Sequence, residues 1–65
     1  MTQKEFDALP MLLRAAQAMD ALGCDRETLR LLREGAPNIA VQLPGMAENR
    51  YIKANIARLA KLEYR

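Results

Sequence analysis

The sequence has no histidine and no serine, and its only cysteine is Cys24. Each gap excludes a class of chemistry. Ser–His and Cys–His nucleophiles cannot be assembled. A Cys/His zinc site cannot form within one chain, and no internal disulfide is possible. Thr2 and Thr28 are the only hydroxyls beside Tyr51 and Tyr64. Asp20 and Asp25 read as a surface residue and a helix cap rather than as an acid–base pair, and Cys24 would need a nearby base to act as a nucleophile. Met11, Met19 and Met46 suit a core or a loop tip better than a metal. The expectation is therefore no enzyme, no catalytic residue, no cofactor and no metal. No apolar run approaches the roughly 18 residues of a membrane span. The stretch MTQKEFDALP lacks the basic start and apolar run of a secretory leader. A lone cysteine agrees with a reducing, cytoplasmic setting.

What is present is a chain of 65 residues, 51% of them hydrophobic. That is enough for one small domain near the lower limit for a core built from apolar burial alone. Such a domain presents a surface more readily than it encloses a pocket, which favours a binding module. The formal net charge is +2, but the charge is unevenly spread. Residues 1–25 carry two basic and four acidic side chains, whereas residues 26–65 carry eight basic and four acidic. A basic portion suggests a polyanionic partner.

Residues 2–9 read as a short helix. Thr2 and Glu5 have capping-box spacing, Phe6 and Leu9 share a face, and Pro10 ends the segment. Met11 to Arg14 form an extended entry. Ala15–Leu22 follow as a helix with Ala18, Met19 and Leu22 at helical spacing. Gly23 supplies a left-handed stop and Cys24 a small apolar plug. Asp25 caps a helix over Arg26–Glu34 that turns Leu29 and Leu32 inward, with Gly35 as its stop. Ala36-Pro37-Asn38 is a loop. Ile39, Val41 and Leu43 alternate as in a strand, and Pro44-Gly45 signals a turn. Arg50-Tyr51-Ile52 return as a second strand with Tyr51 inward, after a loop of about six residues, Pro44 to Asn49. Ala54–Leu62 close the chain as a helix, with Ile56, Leu59 and either Ala60 or Leu62 facing the core.

The informative stretch is LLRAAQAMDALGCDRETLRLLREG, two short helices meeting at Gly23-Cys24-Asp25. A glycine corner, an apolar plug and a capped second helix make a helix-turn-helix. A second helix of this length suits the major groove of B-DNA. With Leu29 and Leu32 buried, Arg26, Glu27, Arg30 and Arg33 lie toward the outer face. Thr28 completes this candidate DNA-reading set. In VQLPGMAENRYIKANIARLAKL the hairpin places Asn49, Arg50 and Lys53 as candidate phosphate donors.

The arrangement from Met11 to Leu62 resembles the MerR-type winged helix-turn-helix used by excisionases and AlpA-like regulators. The residues that carry the resemblance are Leu12-Leu13, Gly23-Cys24, Thr28-Leu29, Leu32, Gly35, Pro37, Val41, Leu43, Arg50-Tyr51, Ile56 and Leu59. The chain departs from the pattern where Arg14 replaces the usual Ser or Thr cap, where Cys24 and Asp25 replace an aliphatic residue and a serine, and over Met1–Pro10. It also has no long C-terminal coiled coil, which favours the excisionase or small-regulator branch over a metal or drug sensor. The resemblance implies an α+β, mainly α fold. Residues 1–10 would be an accessory helix, and residues 11–65 a winged domain with a small hairpin wing. It implies duplex DNA as partner, with an integrase or neighbouring copies of the chain beside it on DNA. The role implied is excision directionality in a phage or mobile element, or transcription control. No membrane or small-molecule partner is expected. The competing expectation is a protein-interaction adaptor or inhibitor that docks through Phe6, Leu9 and Met11. A third is the DNA-recognition domain of a packaging subunit.

Overall fold

The computed structural model describes residues 1–64; Arg65, counted in the basic balance, lies outside them. The fold is a small α+β arrangement, mainly helical. Its elements are α1 (Gln3–Asp7), β1 (Leu12–Leu13), α2 (Ala15–Leu22), α3 (Arg26–Gly35), a 3-10 turn (Pro37–Ile39), β2 (Ala40–Gln42), β3 (Asn49–Ile52) and α4 (Lys53–Ala60). No helix among the described residues is long and apolar enough to cross a membrane.

Local chemistry sets most boundaries. Thr2 Oγ1 accepts from the Glu5 N–H, and Glu5 Oε1 accepts from the Thr2 N–H, which completes the capping box of α1. Gly23 ends α2 at φ 67, a conformation that costs glycine nothing. Asp25 Oδ1 accepts from the Thr28 N–H at 2.8 Å and caps α3. Gly45, at φ 80, turns the chain between β2 and β3.

Gly35 is not the stop of α3. It is the last helical residue, and Ala36 caps the helix at φ −138, with its N–H on the Leu32 carbonyl at 2.8 Å. Pro37 explains this, because the residue before a proline is driven out of helical geometry. The extended entry at Leu12–Leu13 also does more than enter. It pairs with β3 and forms an edge of a three-stranded antiparallel sheet of order β1-β3-β2. Ile39 sits in the 3-10 turn rather than in a strand, yet it is still buried.

Among the described residues, eight buried apolar side chains form one core: Phe6, Leu13, Ala18, Leu29, Ile39, Tyr51, Ile56 and Ala57. Every element except β2 contributes to it. On α4 the inward stripe is Lys53, Ile56, Ala57 and Ala60, spaced i, i+3, i+4, i+7. Leu59 falls off that stripe and is 44% exposed, contrary to the sequence expectation.

The chain's two ends are clasped. The Gln3 side-chain amide donates to the Glu63 carbonyl at 2.8 Å, and its oxygen accepts from the Glu63 N–H at 2.9 Å. Phe6 has no exposed surface, so α1 is docked on the body of the fold.

Candidate functional site

Strand periodicity decides which hairpin residues reach the site. In β3, Tyr51 faces the core opposite Leu13 on one side and Ala40 on the other. Asn49 lies two residues away and therefore shares that face, whereas Arg50 points to the opposite one. Asn49 accordingly lines a recess of about 420 Å³ between the start of α2, one edge of α3 and the hairpin. Arg50 does not line it. Its side chain is 17% exposed, and its Nη1 lies 3.5 Å from Glu48 Oε2.

Arg14, Arg26 and Arg33 converge on the recess. Arg26 and Arg33 are seven residues apart, two turns of α3, and so share an edge of that helix. Arg14 comes from the N-cap of α2. None of the three makes an ion pair or side-chain hydrogen bond among the described residues. Glu48 is the one carboxylate in the lining, and it pairs with Arg50 rather than with any of them.

Arg30 behaves differently. It lines a smaller neighbouring recess of about 200 Å³, but its guanidinium is held by Glu27 one turn back and by Glu34 Oε1 at 2.7 Å one turn ahead. These partners, Glu27 first, raise its already high pKa. Glu27 and Thr28 are exposed on the outer side of α3. On one face of α3, then, Arg26 and Arg33 have no ion-pair partner among the described residues, whereas Arg30 between them is neutralised by its own helix.

Lys53 is the clearest departure from the expected site. It is only 6% exposed. Its Nζ donates to the Leu9 carbonyl at 2.8 Å and the Asp7 carbonyl at 3.2 Å, and it sits 5.1 Å from the centre of the Phe6 ring. Lys53 is thus part of the docking of α1 and is not on the hairpin surface. The sequence held only part of the signal: Lys53 is spaced i, i+3, i+4, i+7 with Ile56, Ala57 and Ala60, but its acceptors lie far away along the chain. Arg14 is the residue that sequence reasoning missed. It appeared there only as a cap of the wrong type.

Cys24 is half-buried. Burial, and then the neighbouring Asp25 carboxylate, push its thiol pKa up, which disfavours the reactive thiolate. No three His, Cys, Asp or Glu side chains gather into a metal cluster among the described residues. The apolar docking surface of Phe6, Leu9 and Met11 is not assembled either. Phe6 is buried, Leu9 half-buried, and only Met11 stands out, at 72% exposed.

Comparison with family models, curated proteins and solved structures yields no match for this chain.

Proposed function

We propose that this chain is a duplex-DNA-binding protein of the winged helix-turn-helix kind, and not an enzyme. The observation that carries the reading is the convergence of Arg14, Arg26 and Arg33, none of them ion-paired among the described residues, on one recess beside Asn49. Unpaired guanidinium groups gathered on one side of a small domain are what a phosphate backbone selects. In this reading α2 and α3 are the helix pair, α3 enters the major groove, and the β2–β3 hairpin is the wing. Arg26 lies at the leading end of α3, where side chains reach base edges. Arg30 reads bases only after exchanging Glu27 and Glu34 for DNA, and exposed ion pairs of that kind are weak. Glu27 and Thr28 flank it as acceptor and hydroxyl. Asn49 and Arg33 hold phosphate, with Arg50 at the side.

The MerR-like resemblance supports a role as an excisionase-like directionality factor or a small transcriptional regulator. The mechanism is occupancy. Neighbouring copies on adjacent sites bend the duplex and shape it for an integrase, or block a promoter.

A backbone amide NMR titration with duplex DNA at two salt concentrations tests the reading. Perturbations gather at residues 14–16, 26–33 and 47–50, and affinity falls steeply as salt rises. Arg26→Gln and Arg33→Gln weaken binding without lowering the melting temperature. Perturbations that avoid the recess, or binding indifferent to salt, would sink the proposal.

A further inference from the structure

The recess has more positive charge than a single backbone contact requires. A phosphodiester carries one negative charge and two free oxygens. Three guanidinium groups line the recess, each able to donate a parallel pair of hydrogen bonds. Two of them are spaced along about 10 Å of α3. Among the described residues these three side chains have no counter-ion, and Glu48, the carboxylate in the lining, pairs with Arg50 instead. Arg14 makes the local imbalance worse. It sits at the N-terminus of α2, where the helix dipole already disfavours a cation. Its side chain has no acceptor to offer the first N–H groups of that helix, and the helix's first two residues, Ala15 and Ala16, line the same recess.

We propose that the recess is a discrete site for two adjacent phosphate groups, with Arg14 as a ligand alongside Arg26 and Arg33. The inference rests on the DNA-binding reading for the source of those phosphates, two successive phosphodiesters of one strand. The shared chemistry is the phosphate pair, and a free diphosphate has it too. Glu48 is the built-in opposing charge, so removing it strengthens the site.

Thermal melts in inorganic pyrophosphate, in orthophosphate and in KCl at matched ionic strength test the site directly. Pyrophosphate raises the melting temperature by several degrees over KCl, and orthophosphate raises it less. Arg14→Gln and Arg33→Gln lose most of that excess, and Glu48→Gln enlarges it. Arg14→Gln removes no bond within the fold, so each variant is compared with itself across the three salts. An equal excess in the wild type and Arg14→Gln overturns the site, and an equal shift from orthophosphate overturns the phosphate pair. The second arm measures the salt dependence of binding to a duplex, where Arg14→Gln lowers the slope by about one unit. Duplex binding with an unchanged slope and no pyrophosphate excess removes the site and leaves the DNA reading standing. An Arg14-dependent pyrophosphate excess without duplex binding keeps the site, assigns it to a free phosphate compound, and removes the DNA reading.

Discussion

Two cationic regions of this small domain use their charges in opposite ways. At one end, Lys53 is buried, and two backbone carbonyls and the Phe6 ring take up its ammonium group. At the other, Arg14, Arg26 and Arg33 line a recess and have no ion-pair partner among the described residues. The first region turns charge into structure, because a buried cation left without acceptors would be strongly destabilising. The second leaves its charge available, because none of its three guanidinium groups makes a bond that holds the fold among the described residues. Stability and binding should therefore separate when the two regions are altered independently.

The largest expected effect lies in the first region. Phe6→Ala empties the site of a fully buried aromatic and should cost about 3–5 kcal/mol. A domain of this size commonly has only about 5 kcal/mol in total, so the variant is close to unfolded at 25 °C. At low temperature, where it folds, the proposed function expects it to bind DNA with the affinity of the intact protein. A small drop in a urea or thermal melt would mean that α1 is a dispensable attachment. Lost binding in the folded variant would join the two regions that the comparison separates.

The next effect has the opposite sign. The Gln17 side chain already accepts from the Arg14 N–H at 2.9 Å, half of a capping box. Arg14→Ser supplies the missing acceptor and completes the motif. It should stabilise the fold by about 1 kcal/mol, which for a domain this small raises the melting temperature by about 4–8 °C. The same substitution weakens binding to DNA. A variant that loses both stability and binding would show that Arg14 is structural and that the recess is not the interface.

Lys61 provides a smaller test, away from both regions. It holds a left-handed conformation at φ 58 where α4 ends, with the Leu62 N–H returning to the Ala57 carbonyl at 2.9 Å. Glycine adopts this conformation without the steric cost that a Cβ brings. Lys61→Gly should raise stability by up to about 1 kcal/mol by thermal melt. DNA binding should be unchanged apart from the loss of one distant charge. A fall in stability would mean that the Lys61 side chain packs usefully.

These cases show where the sequence was readable. Thr2, Gly23 and Asp25 act through bonds to residues a few positions away, so their roles follow from spacing alone. The error at Gly35 was also local: two stop signals, a glycine and a proline, competed, and the proline won. Lys53 was misread because its acceptors at Asp7 and Leu9 lie more than forty residues away along the chain. A cation on an inward stripe is informative only once those carbonyls are known to be there. Arg50 and Asn49 were grouped by proximity in sequence, but the pairing of β3 with β2 sends them to opposite faces. Arg14 drew notice only as a poor cap. The recess that gives it a role is formed by three separate segments, and no single stretch of sequence contains it.

The smallest effect concerns acid, and it follows from the caps rather than from either cationic region. The Thr28 backbone N–H, and then its hydroxyl, bond the Asp25 carboxylate and hold its pKa below the usual range. Thr2 does the same to Glu5, again through the backbone first. For a carboxyl whose folded pKa is lowered, the stabilisation is complete above the unfolded value and is lost as pH falls through the folded one. Both caps thus contribute at neutral pH and fade only below the ordinary carboxylate range. Asp25→Asn isolates the term, because asparagine caps nearly as well but does not titrate. Near pH 7 the wild type should melt at or slightly above the variant, helped by a negative charge at the start of α3. As pH falls into the acid range the wild-type melting temperature should drop faster, so that the gap closes and then reverses. Parallel melting curves for the two proteins over that range would show that the Asp25–Thr28 bond does not depend on ionisation, and acid sensitivity would then have to be sought in Glu5.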